Sequence, residues 1–264
     1  MIVKRLADYF QANNIQIKQV EHIKSKHIEG YIAYRQIQNI GKRTLHNEMS
    51  AIRKTLAQAG RDKLAYSERL SNKSLNIHNA SRQGTKTAIT NEQYHDVVNT
   101  AIEKNLLGIA AGLQVARYLG LRGEEVVQSI QSLKTWQKAI NQGKETVTVV
   151  YGTKGGRPRQ TRIINHEKVK QVIDYAISIA NQQHGKLIDK PNLKQAMTYW
   201  RNHTTALGLT GKISPHSLRY AYAQDGLQYY QEQDYSEKEA LALVSMDLGH
   251  GDGRGRYIKQ VYGL

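Results

Sequence analysis

The chain of 264 residues contains no cysteine. Disulfides, thiolate nucleophiles and cysteine-ligated metals are therefore excluded, whereas the compartment stays open, because a thiol-free chain suits a reducing cytosol without requiring one. Phenylalanine occurs once, and tyrosine, with 16 copies, carries most of the aromatic bulk. A single tyrosine is thus no functional signal by itself. No apolar run approaches the ~20 residues of a membrane-spanning helix. Met1 to Lys18 carries charges at Lys4, Arg5 and Asp8 and lacks the apolar segment of a signal peptide, so a cytoplasmic protein with no membrane partner is expected. There is no P-loop, no carboxylate cluster with metal-ligand spacing and no repeat of solenoid period, so neither a cofactor nor a metal is expected. Acidic residues are also in the minority, 22 against 38 Lys and Arg, for a formal charge of +16. That excess runs through the whole chain and not only a tail, which points to a polyanionic partner, with double-stranded DNA the first candidate.

The apolar pattern divides the chain. From Ile2 to about Leu75, Leu6, Tyr9 and Phe10, then Ile28, Tyr31 and Ile32, then Leu45, Met49, Ile52 and Leu56 recur at helical spacing. Thr44 is a candidate helix start and Gly60 a candidate stop. The segment from Ser71 to Thr87 is polar, rich in Asn and Ser, and reads as a linker. The expected organisation is a helical domain over 1–80, a linker over 81–89 and a second domain over 90–264, which is ample length for two modest cores. Thr90 with Glu92 and Gln93 opens a further helix, and Ile109 to Tyr118 is apolar enough for a buried one. Thr146 to Tyr151 is β-branched, Gly152 to Pro158 holds three glycines and a proline, and Arg159 to Ile164 alternates, which predicts a β-hairpin with Lys154 near its tip. Helices are predicted near Glu167–Gln183, Leu193–Leu207, Ser217–Tyr230 and Glu237–Met246. The fold class is mainly α with a small β-hairpin, α+β.

The last fifty residues concentrate the chemistry: His216-Ser217-Leu218-Arg219, Leu248-Gly249-His250, and then Tyr257 and Tyr262. An arginine fork can hold two non-bridging phosphate oxygens, histidines move protons near neutral pH, and a tyrosine oxygen can attack phosphorus. The set points to phosphodiester chemistry.

Five blocks in order resemble the tyrosine recombinases of the phage-integrase family. Leu119-Gly120-Leu121-Arg122 with Glu125 resembles the segment of the first arginine and its acidic companion, and Thr153-Lys154-Gly155-Gly156 the lysine-bearing β-turn. His216-Ser217-Leu218-Arg219 and Leu248-Gly249-His250 resemble the two histidine blocks, and the terminal tyrosine the nucleophile. The similarity runs from Thr90 to Leu264, and residues 1 to about 80 resemble the helical core-binding domain more loosely. The resemblance implies a site-specific recombinase that leaves a 3′-phosphotyrosyl link and a free 5′ hydroxyl. In that family four protomers act on two duplexes through a Holliday junction, integrating or excising mobile elements at the nucleoid.

In that reading Arg122 and Arg219 clamp the phosphate, with Glu125 orienting Arg122. His216 is the base for the tyrosine, His250 holds a phosphate oxygen or supports the pocket, and Lys154 protonates the departing 5′ oxygen. Arg43, Arg53 and Lys54 in the first domain, with Arg157 and Arg159 beside the hairpin turn, are candidate DNA contacts. The nucleophile departs from the family pattern, whose usual position falls on Lys259. Tyr257 lies two residues before it and Tyr262 three after. Treating part of Gly251-Asp252-Gly253-Arg254-Gly255 as an inserted turn favours Tyr262, with Tyr257 the alternative. Three other readings stand beside this one: a type IB topoisomerase or telomere resolvase with the same chemistry, a nuclease using His and Arg, and a DNA-binding module that does not cut.

Overall fold

Each helix forms where the apolar spacing places a stripe, and the stripes meet in separate cores. The computed structural model describes residues 2–81 and 83–264, and the chain divides into two units, Met1–Arg82 and Gln83–Leu264. No helix among the described residues is long and apolar enough to cross a membrane.

In the first unit, α1 (Ile2–Ala12), α2 (Ser25–Ile37), α3 (Lys42–Gln58) and the short α4 (Asp62–Ala65) surround one core. Leu6, Phe10, Ile28, Tyr31, Ile32, Leu45, Met49, Ile52 and Leu56 are all buried in it, so the single phenylalanine is spent here. Helix α3 starts two residues before Thr44. Its N-cap is Gly41, whose carbonyl accepts from the Thr44 amide at 2.9 Å, so backbone and not the threonine hydroxyl opens the helix. The left-handed Gly60 follows its end, as expected.

The polar stretch after Ser71 is no free linker. Leu75 and Ile77 are buried in the first core, Gln36 Nε2 donates to the Leu75 carbonyl at 3.0 Å, and Arg53 donates to Leu70 O and Asn72 Oδ1. A run of small polar residues thus hides two anchoring side chains. Its later part belongs to the second unit: the Thr87 and Ile89 amides donate to Lys212 O and Ser217 O at 3.2 and 3.3 Å.

The second unit is built around α6 (Leu107–Leu119), which follows α5 (Asn91–Glu103). Helix α5 is opened by a reciprocal cap in which Thr90 Oγ1 accepts from the Gln93 amide and Gln93 Oε1 from the Thr90 amide. Next come α7 (Gly123–Val127), α8 (Ile130–Asn141) and the hairpin β1 (Thr146–Val149) with β2 (Arg159–Arg162), antiparallel in the register Thr146↔Arg162 and Val149↔Arg159. The chain continues through α9 (His166–Gln182), α10 (Leu193–Ala206), α11 (Pro215–Gln231), α12 (Glu237–Asp247) and α13 (Gly255–Tyr262). Helix α6 packs against α5, α7, α9, α10 and α11. A second layer of α11, α12 and α13 closes over Tyr220, Tyr222, Tyr230, Leu241, Val244, Ile258 and Tyr262. Because α11 lies between both layers, Ser217 to Ala223 are buried without interruption, polar residues included. Such polar groups must find partners inside the protein, and Arg219 does.

Candidate active site

Four pieces of chain converge on Arg219. The α6–α7 turn supplies the Gly120 carbonyl and Arg122, α11 supplies Arg219, the turn after α12 supplies the Leu248 carbonyl and His250, and α13 supplies Tyr262. Arg219 is fully buried. Its Nη1 donates to Gly120 O, its Nη2 to Leu248 O, and its Nε to the Tyr262 hydroxyl at 3.1 Å. The Leu248 carbonyl also accepts from Arg122 Nη2 at 3.1 Å. Arg122 itself caps α7: Glu125 Oε2 accepts from the Arg122 amide at 2.8 Å and Oε1 from Nη1 at 2.6 Å.

The Tyr262 hydroxyl meets both a cation and an imidazole, because His250 Nε2 also lies 3.0 Å from it. The Arg219 N–H donates to the phenol oxygen, and with the ring hydrogen on Nδ1 the His250 Nε2 can accept the phenol hydrogen. His216 does not share this contact; its ring centre is 6.4 Å from that of Tyr262. Tyr257 packs its ring 5.1 Å from that of His250 and is half-buried. Of the two candidate tyrosines, Tyr262 is the one whose hydroxyl meets both Arg219 and His250.

Electrostatics follow from this crowding. Burial brings the Arg219 guanidinium down to about 10, still protonated at neutral pH. His250 is lowered to about 3, first by burial and then by Arg219 and Arg122. His216 falls to about 4 for the same reasons with Lys86 added, although its residue is exposed at the surface. Both imidazoles are therefore neutral at pH 7. Burial pushes the Glu125 carboxyl up, but the charge and hydrogen bond of Arg159, followed by Arg219 and the Arg122 amide, outweigh it and hold Glu125 below the ordinary range.

Other expected site residues stand apart from this cluster. Lys154 and Arg157 are exposed in the β1–β2 connection, and that connection backs onto α7, where a Cβ on Gly152 would meet Glu124 O at 2.5 Å. Arg43 and Lys54 are exposed on α3. Two expected DNA contacts are engaged inside the protein. Arg53 is held by Leu70 and Asn72 of its own unit. Arg159 is buried and donates to Asp247 O, Gly120 O and Glu125 Oε2, so it lies behind the cluster with no surface to offer a duplex. The signal for Arg159 was the strand alternation, since it is in phase with Thr161 and Ile163, which face inward, while Gln160 faces out.

Sequence reasoning also missed Gly84. Its amide lies 3.4 Å from Gln260 O on α13, and an added Cβ would stand 1.8 Å from Val261 O and 2.7 Å from the Tyr220 hydroxyl. The strap that enters the second unit thus lies directly on the helix carrying Tyr262, and only a residue without a side chain fits there.

Two family models match the chain. One described as "Phage integrase, N-terminal" matches residues 1–65, and one described as "Integrase" matches 76–225, a span that includes Arg122, Lys154, His216 and Arg219 and stops before His250 and Tyr262. No curated protein matches. A solved structure titled "Crystal structure of XerA recombinase" aligns at 13% identity and a TM-score of 0.43, covering 98% of this chain and 86% of that one. With more than half of its length matched by the integrase model, the chain belongs to the phage-integrase family of tyrosine recombinases.

Proposed function

We propose that this protein breaks and rejoins DNA strands with Tyr262 as the nucleophile. The observation that carries the reading is the Tyr262 hydroxyl meeting both Arg219 Nε and His250 Nε2. In the reaction the phenol oxygen forms a bond to the scissile phosphorus, its proton passes to His250 Nε2, and the bond from phosphorus to the 5′ oxygen breaks. The products are a 3′-phosphotyrosyl link and a 5′ hydroxyl, and the reverse attack by a 5′ hydroxyl rejoins a strand without outside energy. His250, and not His216, takes the tyrosine proton, because hydrogen-bond reach decides between two neutral imidazoles.

Arg122 spends two side-chain N–H groups on Glu125 and Leu248 and Arg219 three on Gly120, Leu248 and Tyr262. Each guanidinium carries five, so the unused donors of Arg122, whose side chain is 23% exposed, are available to the non-bridging oxygens, and the charge of buried Arg219 acts on the negative charge that grows there in the transition state. His216, exposed beside them, then bonds to a phosphate oxygen. Lys154, on the exposed connection next to α7, delivers a proton to the leaving 5′ oxygen as the duplex orders that connection. Arg43, Lys54 and Arg157 hold the phosphate backbone and carry no base specificity. Action by four protomers through a Holliday junction, in the service of a mobile element, is supported by the family resemblance.

The test is a nicked duplex carrying the recombination site, which traps the covalent adduct after denaturation. Wild type and Tyr257→Phe are expected to give the adduct and Tyr262→Phe none. Adduct lost only in Tyr257→Phe would overturn the nucleophile. No adduct on a bound site would leave a DNA-binding module.

A further inference from the structure

Strand β2 is short, yet its first residue is among the most connected side chains of the second unit. Arg159 Nη1 donates to Asp247 O at the end of α12, and Nη2 donates to Gly120 O at 3.2 Å and to Glu125 Oε2 at 3.0 Å. The side chain is 4% exposed, and its Nε is buried without a hydrogen-bond partner among the described residues. An orphaned buried donor is costly, so the guanidinium is held where it is by its other contacts.

Those contacts reach two of the four segments of the cluster, the α6–α7 turn with the start of α7 and the turn after α12. Glu125 Oε2 accepts from Arg159 and from the Arg122 amide, and its Oε1 from the Arg122 guanidinium. The Gly120 carbonyl is shared between Arg159 and Arg219. On the third side the turn carrying His250 is moulded on the Arg159 stem. Gly249 has φ +66°, and a Cβ there would lie 2.6 Å from Arg159 Cδ. The next residue is His250, which meets Tyr262. No hydrogen bond joins Arg159 to Tyr262, its side chain is almost wholly shielded from solvent, and its partners include the groups next to the site.

Building on the proposed strand-cleavage reading, we infer that Arg159 is the positioning residue of this site, setting the attitude of Arg122 through Glu125 and of His250 through the Gly249 turn. The planar fork is what the role requires. Two donors of one guanidinium point at Asp247 O on one side and at Gly120 O and Glu125 on the other, a spread that a lysine ammonium at the end of a flexible stem does not reproduce. An error of about 1 Å in such a constellation costs about 100-fold in rate.

The experiment measures two quantities on Arg159→Lys: the single-turnover rate of adduct formation at saturating protein, and the affinity for uncut duplex. The expected result is a rate about 100-fold lower with affinity unchanged within about twofold. Glu125→Gln, which preserves shape, is expected to produce a similar loss, and the double variant little more than either alone, because the two lie on one chain of contacts. Weakened affinity with a normal saturated rate would make Arg159 a DNA contact and overturn the inference, as would additive losses. Should Arg159→Lys not fold, Glu125→Gln still reads the same link, and a wild-type rate there overturns it. A readout independent of cleavage is the imidazole ¹⁵N spectrum. The His250 Nε2 signal, shifted by its bond to Tyr262, is expected to move in Arg159→Lys, and an unchanged signal counts against the role. If wild type gives no adduct, the cleavage reading fails, and this spectrum still decides whether Arg159 places His250.

Discussion

Each unit buries one glutamate among arginines, and the two clusters are satisfied differently. Glu48 in the first unit accepts from Tyr31 at 2.9 Å, from Arg35 at 2.8 Å and from Arg5 at 3.2 Å. Arg5 is 54% exposed and Arg35 15%, so water and the carboxylate between them settle the charge. In the second unit Glu125 is hydrogen-bonded by Arg122 and Arg159, while fully buried Arg219 beside them bonds to two carbonyls and a phenol and to no acidic side chain. A buried guanidinium without a carboxylate is a costly arrangement. The first cluster holds helices together. In the proposed function the second keeps positive charge for the scissile phosphate, and its neutral hydrogen-bond partners are weaker competitors for that charge than a carboxylate would be.

Changes at the two clusters should therefore read out differently. The largest effect is expected at Arg219: Arg219→Lys keeps a charge and loses the fork, and adduct formation at saturating protein is expected to fall about 1,000-fold. A loss below about tenfold would mean that the fork is dispensable. Glu48→Gln is expected to destabilise the protein by roughly 2 kcal/mol, read by urea unfolding, because it removes the carboxylate bonded to Arg35 while the partly exposed arginines recover some hydration. The saturated cleavage rate of the folded variant should match wild type, and a large rate defect would break the contrast. The smallest effect is expected at Gly84→Ala, which pushes the strap off α13. The rate should fall about tenfold with little change in unfolding midpoint, as expected for a shift of order 1 Å or less that is partly absorbed by the strap. A wild-type rate would show that the strap does not hold the tyrosine helix.

Much of this architecture was legible because burial was periodic. The apolar face of α3, the Thr90 cap, the apolar run of α6 and the β-branched hairpin all follow local rules. Helix α13 was not, since Gly251 to Gly255 reads as a glycine-rich turn and an eight-residue helix has little intrinsic stability. Ile258 and Tyr262, buried against α11 and α12, supply it. The order Arg122, His216, Arg219, His250, Tyr262 could be read from sequence blocks. Which histidine meets the phenol could not, because His250 is placed by a turn resting on Arg159. Arg159 itself looked like one more basic residue in a basic segment, and its inward phase on β2 was outweighed by its charge. The Gly120 and Leu248 carbonyls, which hold Arg219, leave no mark in the side-chain sequence.

The central claim is tested most directly by mapping the linked residue. The adduct formed on a nicked recombination-site duplex is digested with nuclease and protease, and the peptide that retains the nucleotide is sequenced by mass spectrometry. The account predicts a nucleotide on Tyr262, within the peptide that contains Gln260 and Val261. A nucleotide on Tyr257, or on His216 or His250, would contradict it.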